Sequence, residues 1–393
     1  MNPLRLTHYF THYQAMGGVQ SMLRRHLARD AQWKLDSDIV AFFDPPGTSE
    51  PRVRGLGFSW RTTTRAARRQ FEAVLPKGGG DVAMYHNGWG IPFFADLDGA
   101  TRRVVLFHSW WPGVEEYVAG LKGLTDGFLC VSEPLRDIVT RYLPELAPAR
   151  IGVLPVPVSD CPVPTHRTLV SGRPLVIGFN ARLVRQQKRV DRLPALLSAL
   201  DAAKLDYQFE LLGDGADEAW LRGQIGSHPR VKFLGRRGGD DYWRVLASWD
   251  IIIFTSDYEG LPISLLEALN TGAVPLYPRM NSGGDAYVEQ IRPDLLHQQE
   301  DFTTVARIVK GLATLSEAGW RELRARSQSA VKGHLGDAYH EKFTKLVLEI
   351  SALPRLSAAR FGPRPFHPAD MVPFGILSRF SPRSYLRGAP RLG

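Results

Sequence analysis

The sequence predicts an α/β protein of two domains, each a parallel sheet with crossover helices. Three features carry this expectation. Short β-branched runs alternate with longer amphipathic ones along most of the chain, the pattern of repeated strand–helix units. A proline-rich passage at residues 154–164 interrupts the alternation, which then restarts. The length, 393 residues, exceeds what one hydrophobic core ordinarily organises.

In the first half, strands are expected at residues 4–9, 39–43, 82–85, 104–107 and 128–131, with helices between them. The domain boundary belongs at 165–173. Beyond it, strands at 175–179, 209–212, 231–234, 251–254 and 273–277 alternate with helices, including 191–200 and 262–270. A helix over 338–353, with Phe343, Leu346, Val347 and Ile350 apolar, closes the packed part. The expected division is therefore 1–165, 166–336, a closing helix at 337–353 and a tail at 354–393.

Composition narrows the class. Apolar residues make up 44% and charged residues 23%, values of a globular protein. Cys130 and Cys161 are too few for a disulfide framework and have no metal-ligand companion at short spacing, which points to a reducing compartment. Residues 1–14 lack the apolar core of a signal peptide, and no apolar run approaches the roughly 20 residues that span a bilayer. A cytoplasmic protein is the expectation. The net charge of +9 calls for an anionic partner: nucleic acid, a membrane surface or a phosphorylated substrate.

Residues 250–275, DIIIFTSDYEGLPISLLEALNTGAVP, are the most informative stretch. A buried strand runs into a turn bearing Glu259 and Gly260, then into a helix opened by Pro262 and stopped at Thr271 and Gly272. Ligands of open α/β sheets sit beyond the carboxyl ends of strands, where helix starts offer free amides to anions. Glu267, eight positions after Glu259, lies among Leu265, Leu266, Ala268 and Leu269, and a carboxylate there must find hydroxyls or cations. Two carboxylates bracketing a helix start suit a ligand with an anionic centre and hydroxyl-rich ends, such as a nucleotide sugar.

This segment resembles the E-x7-E element of retaining glycosyltransferases, in particular glycosyltransferase family 4 with the GT-B fold. The resemblance implies two Rossmann-like domains with parallel sheets facing across a cleft, the second holding the donor. It also implies transfer of a sugar from a UDP- or GDP-sugar to a glycan or lipid-linked acceptor, with retention at the anomeric carbon. Bacterial polysaccharide or glycolipid assembly follows from family habit. On this reading Glu259 holds the donor sugar with Gly260 and Leu261 beside it, and Glu267 binds the ribose.

The loop after strand 175–179 reads Asn180-Ala181-Arg182 and continues to Lys188, similar to the family's Gly-Arg-Leu and downstream lysine. Arg182 and Lys188 are thereby assigned to the leaving diphosphate, whose charge a guanidinium fork and an ammonium neutralise. Ala181 replaces the usual glycine, so an extra methyl must fit there. Arg185 and Arg189 are read as solvated neighbours. Gly17 and Gly18 resemble the family's glycine turn facing the donor. His86 and His108 end two expected strands; His108 matches the family histidine that hydrogen-bonds the donor sugar, and His86 is read as supporting it. Gly283 and Gly284 resemble a further glycine pair, although Tyr287 stands where an acidic residue is usual.

No metal or other cofactor is expected. Asp36-Ser-Asp38 precedes its apolar run, the wrong side for a cation-carrying pair, and Asp96-Leu-Asp98 follows a segment that Pro92 spoils as a central strand. Arg61, Arg65, Arg68 and Arg69 fall on an expected amphipathic helix within 60–75, and the tail carries Arg355, Arg360, Arg364, Arg379, Arg383, Arg387 and Arg391 among Phe361, Phe366, Met371, Phe374, Ile376, Leu377 and Phe380. Both suit peripheral attachment to an anionic cytoplasmic membrane face. Trp89, Trp110 and Trp111 offer flat faces to a sugar or to packing. The competing readings are a basic nucleic-acid-binding protein and a GT-B protein that binds glycan or lipid without turnover. The first lacks zinc spacing, an RNP-like strand or a recognition-helix motif, so no specific nucleic acid is expected.

Overall fold

The computed structural model describes residues 2–14, 17–47, 50–76, 81–97, 101–164, 173–356, 360–361, 368–374, 376–377 and 391–392. The chain divides into two compact units, the first of Met1–Pro155 with Tyr339–Gly393 and the second of Val156–Ala338. The division falls ahead of the expected 165 because the proline-rich passage is bonded to the second unit. Val158 N–H donates to the His334 carbonyl at 3.1 Å, and Asn270 Nδ2 donates to the Ser159 carbonyl at 3.1 Å.

The first unit holds β1 (Leu4–Phe10), β2 (Leu35–Ala41), β3 (Val53–Gly55), β4 (Val82–His86), β5 (Arg102–Phe107), β6 (Gly127–Cys130) and β7 (Ile151–Val153). They form one parallel sheet in the order β3-β2-β1-β4-β5-β6-β7. β3 and β7 were not expected, being three residues long with no periodicity to read. β2 starts at Leu35 and ends at Ala41, ahead of the expected 39–43; its polar first half, Asp36-Ser37-Asp38, conceals the start in the sequence. One face is closed by helix Ala338–Ala352, whose Tyr339, Phe343, Val347 and Ile350 join Leu6, Leu35, Met84, Val104 and Leu129 in a single core.

The second unit holds β8 (Leu175–Asn180), β9 (Tyr207–Leu212), β10 (Val231–Gly235), β11 (Ile251–Ile253), β12 (Val274–Pro278) and β13 (Leu296–His297). Their parallel order is β10-β9-β8-β11-β12-β13. In both sheets the chain runs outward in one direction, then returns to the first strand and continues on its other side. The reversals fall between β1 and β4 and between β8 and β11, where an open α/β sheet leaves a crevice at its strand ends.

Local chemistry sets several boundaries. Pro262 (φ −66°, ψ 119°) caps helix Ile263–Asn270 from outside rather than occupying its first turn, and Gly272 stops it in the left-handed region at φ 85°. Gly178 in β8 is required by packing: a Cβ there would lie 1.9 Å from the Trp249 ring. Residues 91–94 form a short helix with Pro92 in its first turn, so Asp96 does not follow a strand; Asp98 lies outside the described residues.

The basic helix is Thr64–Val74, capped by Thr63 Oγ1, which accepts from Ala66 N–H at 3.2 Å. Two expectations change here. Arg61 precedes the helix, and Arg68 is turned inward, its Nη1 2.8 Å from Asp96 Oδ1. Among the described tail residues, Phe374 is packed inward. Phe374 is fully buried among Phe58, Trp89, Phe93 and Phe94, and its N–H donates to the Thr62 carbonyl at 2.8 Å. Arg364, Phe366, Arg379, Phe380, Arg383 and Arg387 lie outside the described residues.

Candidate active site

In the second unit, the loops after β8 and β11 meet at the sheet reversal. Lys188 Nζ lies 2.5 Å from Glu259 Oε1, with only 15% and 7% of the two side chains exposed. Ser256 Oγ donates to the same carboxylate oxygen at 2.7 Å, and Gln187 Nε2 donates to the Tyr258 carbonyl at 3.2 Å. Backbone bonds lace the loops further: Asp257 N–H to the Gln187 carbonyl at 3.0 Å and Thr255 Oγ1 to the Lys188 carbonyl at 2.7 Å. A loop pair tied this tightly presents its charges from fixed positions, which lowers the cost of meeting an anion.

Arg182 is exposed and makes no ion pair among the described residues, so its guanidinium fork is open to a ligand. Ala181 is partly exposed and its methyl is accommodated. The reading of Arg189 as a solvated neighbour does not hold. It adopts a left-handed backbone (φ 50°) and is bonded to Asp191 at 2.8 Å and Asp257 at 2.9 Å, stapling the turn that carries Lys188. Arg185 is half exposed and pairs with Asp217 at 2.7 Å.

Glu267 is partly buried on the helix that follows the Glu259 loop. Tyr242 donates its phenolic hydrogen to Glu267 Oε2, and Asn180 Nδ2 at the end of β8 donates to the same phenol oxygen at 2.8 Å. Burial pushes the Glu267 carboxyl up to about 7, although the Tyr242 bond favours its ionised form. Tyr242 and Asn180 were missed from sequence, since nothing in their spacing links them to Glu267. Gly260 and Leu261 are buried, and the Gly260 carbonyl accepts from Gly283 N–H at 2.6 Å. That bond joins the Glu259 loop to helix Gly283–Ile291, whose start is a capping box of Ser282 and Asp285. Gly284 is needed for contact, because a Cβ would lie 2.5 Å from the Tyr277 ring. Tyr287 bonds His334 Nε2 at 2.7 Å within this unit.

In the first unit, His108 follows β5 with 6% of its surface exposed. Its N–H donates to Asn87 Oδ1 at 2.7 Å, and Asn87 holds a left-handed backbone at φ 55°. His108 Nε2 lies 2.7 Å from His86 Nδ1, and His86 Nε2 lies 3.0 Å from His8 Nδ1. His86 thus supports His108 directly, and His8 extends the chain beneath it. Burial, then the charge of His26, lowers His108 to about 3, so the ring is neutral near pH 7. Gly17 caps helix Gly18–Arg29 with an extended backbone (φ 172°), leaving the first-turn amides of Gly18 and its neighbours at the end of β1. Trp89 packs on Phe42 and Phe43, Trp110 Nε1 donates to Glu115 at 3.1 Å, and Trp111 packs edge-on against Phe107 and Tyr117.

Residues 174–328 match a family model described as glycosyl transferases group 1. By fold the chain is GT-B, and the stretch similar to group 1 glycosyl transferases lies in its second unit. The UDP-N-acetylglucosamine–peptide N-acetylglucosaminyltransferase GtfA subunit of Streptococcus pneumoniae serotype 4 is 19% identical over 245 residues, 61% of this chain and 48% of that protein. The 2-deoxystreptamine glucosyltransferase of Streptomyces kanamyceticus is 28% identical over 153 residues, 38% of this chain and 39% of that one. The chain spans about half the length, or less, of the curated relatives it matches.

Among solved structures, the pneumococcal O-GlcNAc transferase GtfA in complex with UDP and GlcNAc aligns with a TM-score of 0.69 at 13% identity, over 90% of this chain and 100% of that one. The lipopolysaccharide outer core galactosyltransferase WaaB, apo form, aligns with a TM-score of 0.65 at 17% identity, over 88% and 99%. Arg182, Lys188, Glu259, Gly260, Leu261 and Glu267 all fall within the matched residues 174–328; Gly17, Gly18 and His108 fall outside them. No helix among the described residues is long and apolar enough to cross a membrane.

Proposed function

We propose that this chain is a retaining transferase of glycosyltransferase family 4, moving a sugar from a UDP- or GDP-sugar to a glycan or lipid-linked acceptor. The observation that carries the reading is the Lys188–Glu259 pair at the reversal of the second sheet, with exposed Arg182 on the loop leading to it. Arg182 and Lys188 neutralise the departing diphosphate. Glu259 and His108 hold the donor sugar, Glu267 accepts from the ribose, and the Gly17–Gly18 and Gly260–Leu261 backbone lies against the donor. A buried, neutral His108 gives or accepts a hydrogen bond without adding charge, which suits a sugar hydroxyl. The chemistry runs through a short-lived oxocarbenium-like state in which the leaving phosphate takes the acceptor proton.

Metal is not part of this reading. Asp36 is paired with Arg52 and Asp96 with Arg68, so both acids are engaged in ion pairs with arginines. Attachment to an anionic cytoplasmic membrane face is proposed through the exposed apolar Trp60, Met371 and Ile376 with the exposed Arg61, Arg65 and Arg69, the tail being tied to the basic helix by Thr64 N–H on the Val372 carbonyl at 3.0 Å. Bacterial polysaccharide or glycolipid assembly is the proposed setting.

The test is nucleoside diphosphate release from a panel of UDP- and GDP-sugars without added metal, comparing wild type with Arg182→Ala and Glu259→Ala. Turnover of one donor, lost in both variants, is expected. Neither binding nor turnover of any donor would overturn the reading.

A further inference from the structure

Beneath His108 the first unit buries an unusual set of side chains. His8, His26, Asp30 and His340 are all fully buried, and one ring nitrogen each of His8 and His26 lies within 4.8 Å of an Asp30 oxygen. Asp30 is held by His26 Nδ1 at 2.9 Å, by the Ser37 hydroxyl and by His340 Nε2 at 3.4 Å, and His26 Nε2 meets the Tyr339 phenol at 2.9 Å. His8 Nε2 has no hydrogen-bond partner among the described residues. A buried polar atom in that position costs free energy unless something nearby answers it.

We propose that Asp30 is a positioning residue for His108, acting through His8 and His86 by fixing the direction of a chain of imidazole hydrogen bonds. The proposal rests on reading His108 as a ligand of the donor sugar. A neutral imidazole has one N–H and one bare nitrogen, so three rings joined Nδ1 to Nε2 can be protonated in only two consistent ways. In one, every proton sits on Nε2: His108 donates to His86, His86 donates to His8, and His8 Nε2–H is left over. In the other, every proton sits on Nδ1, and a bare His8 nitrogen is left over.

With its Nδ1 committed to His86, His8 meets the Asp30 charge through Nε2. Burial and repulsion from His26 and His108 keep His8 neutral, and Asp30 is the neighbour that draws a proton toward it. Although burial alone would raise its pKa, Asp30 stays ionised through its contacts with His26, His340 and His8. An N–H near that carboxylate is favoured over a lone pair, which selects the Nε2 arrangement. His108 Nδ1 is then bare, an acceptor suited to a sugar hydroxyl, and its state is set two rings away.

The test is the tautomer of each ring in protein with 15N-labelled histidine, read from nitrogen shifts near pH 7, with elemental analysis of the same sample. The expected result is Nε2–H on His8, His86 and His108 together, and a joint change of all three in Asp30→Asn. That variant should lose about five- to tenfold in kcat with donor KM unchanged, the worth of one misdirected hydrogen bond. Opposite tautomers on His86 and His108, a change in Asp30→Asn confined to His8, or a stoichiometric divalent metal bound through His8 would overturn the proposal. The wild-type spectrum decides the matter if the variant does not fold. Because it requires no substrate, it fails or succeeds independently of the transferase assay.

Discussion

Lys188 and Glu259 neutralise each other across 2.5 Å, on loops that follow two neighbouring strands of one sheet. In the proposed transferase, an ammonium that already has a carboxylate partner meets the donor diphosphate in position, and the carboxylate remains for hydroxyls once phosphate oxygens share the cation. Lys188→Ala should therefore lower turnover by roughly a hundredfold or more, as loss of a preorganised charge does at other sites. It should also destabilise the fold by ~3 kcal/mol, because Glu259 is left largely buried without its cation. Chemical denaturation beside steady-state kinetics checks both. Lys188→Ala/Glu259→Ala should recover part of the stability and none of the turnover.

Glu267 is expected to set the pH dependence of donor binding. Its carboxyl is raised to about 7 by burial, and a ribose hydroxyl is best accepted by the ionised form. Nucleotide affinity should rise with pH through 7 and lose that dependence in Glu267→Gln. Stability moves oppositely. A raised carboxyl contributes most below its unfolded value near 4.5 and loses that contribution as pH climbs through 7, a change of up to ~3 kcal/mol relative to Glu267→Gln. Titration calorimetry and urea melts between pH 4.5 and 8 measure the two slopes.

His108 should leave no mark on the pH–rate profile above pH 5. Its ring is lowered to about 3, so its charge is constant across the working range. His108→Gln keeps a hydrogen-bonding group and should retain more kcat than His108→Phe. An acidic limb near pH 6.5 that disappears in His108→Gln would contradict this.

Gly178→Ala should be strongly destabilising, because the new methyl would fall 1.9 Å from a Trp249 ring that is fully buried and bonded through Nε1 to Glu210. Overpacking of this kind typically costs ~1–3 kcal/mol. Thermal melts of Gly178→Ala alone and with Trp249→Leu test the cause, since the smaller ring-free side chain should recover part of the loss.

Vesicle sedimentation checks the proposed membrane face. Binding should be stronger to anionic than to neutral vesicles, weaken with salt, and fall in Arg61→Glu/Arg65→Glu/Arg69→Glu. Arg68 is excluded from that set because its charge is already matched by Asp96. Equal binding to both vesicle types would sink the idea.

Much of this arrangement was legible in the residues. Strand cores such as Ile251–Ile253 announce themselves because a strand covered on both faces must be apolar throughout. The turn and helix after β11 were readable because Gly260, Pro262 and Gly272 punctuate the apolar run. What escaped was of another kind. The three-residue edge strands carry too few side chains for a period, and Asp36 to Asp38 masked the start of β2 with polar residues. Tyr242 under Glu267, His8 under His86 and Phe374 in its aromatic pocket are contacts between distant segments, which no local pattern encodes.

The second unit is a guest within the first. Its entry and exit are clasped together, with Val158 N–H on the His334 carbonyl and His334 Nδ1 2.7 Å from the Val156 carbonyl. The host, by contrast, lacks Tyr339, Phe343, Val347 and Ile350 until the guest has been made. On the ribosome, a nascent chain would hold the earlier sheet with one flank uncovered while the later one completes its own core. Synthesis order and maturation order are therefore reversed in this molecule, and a premature stop before residue 339 would strand the amino-terminal half rather than the middle.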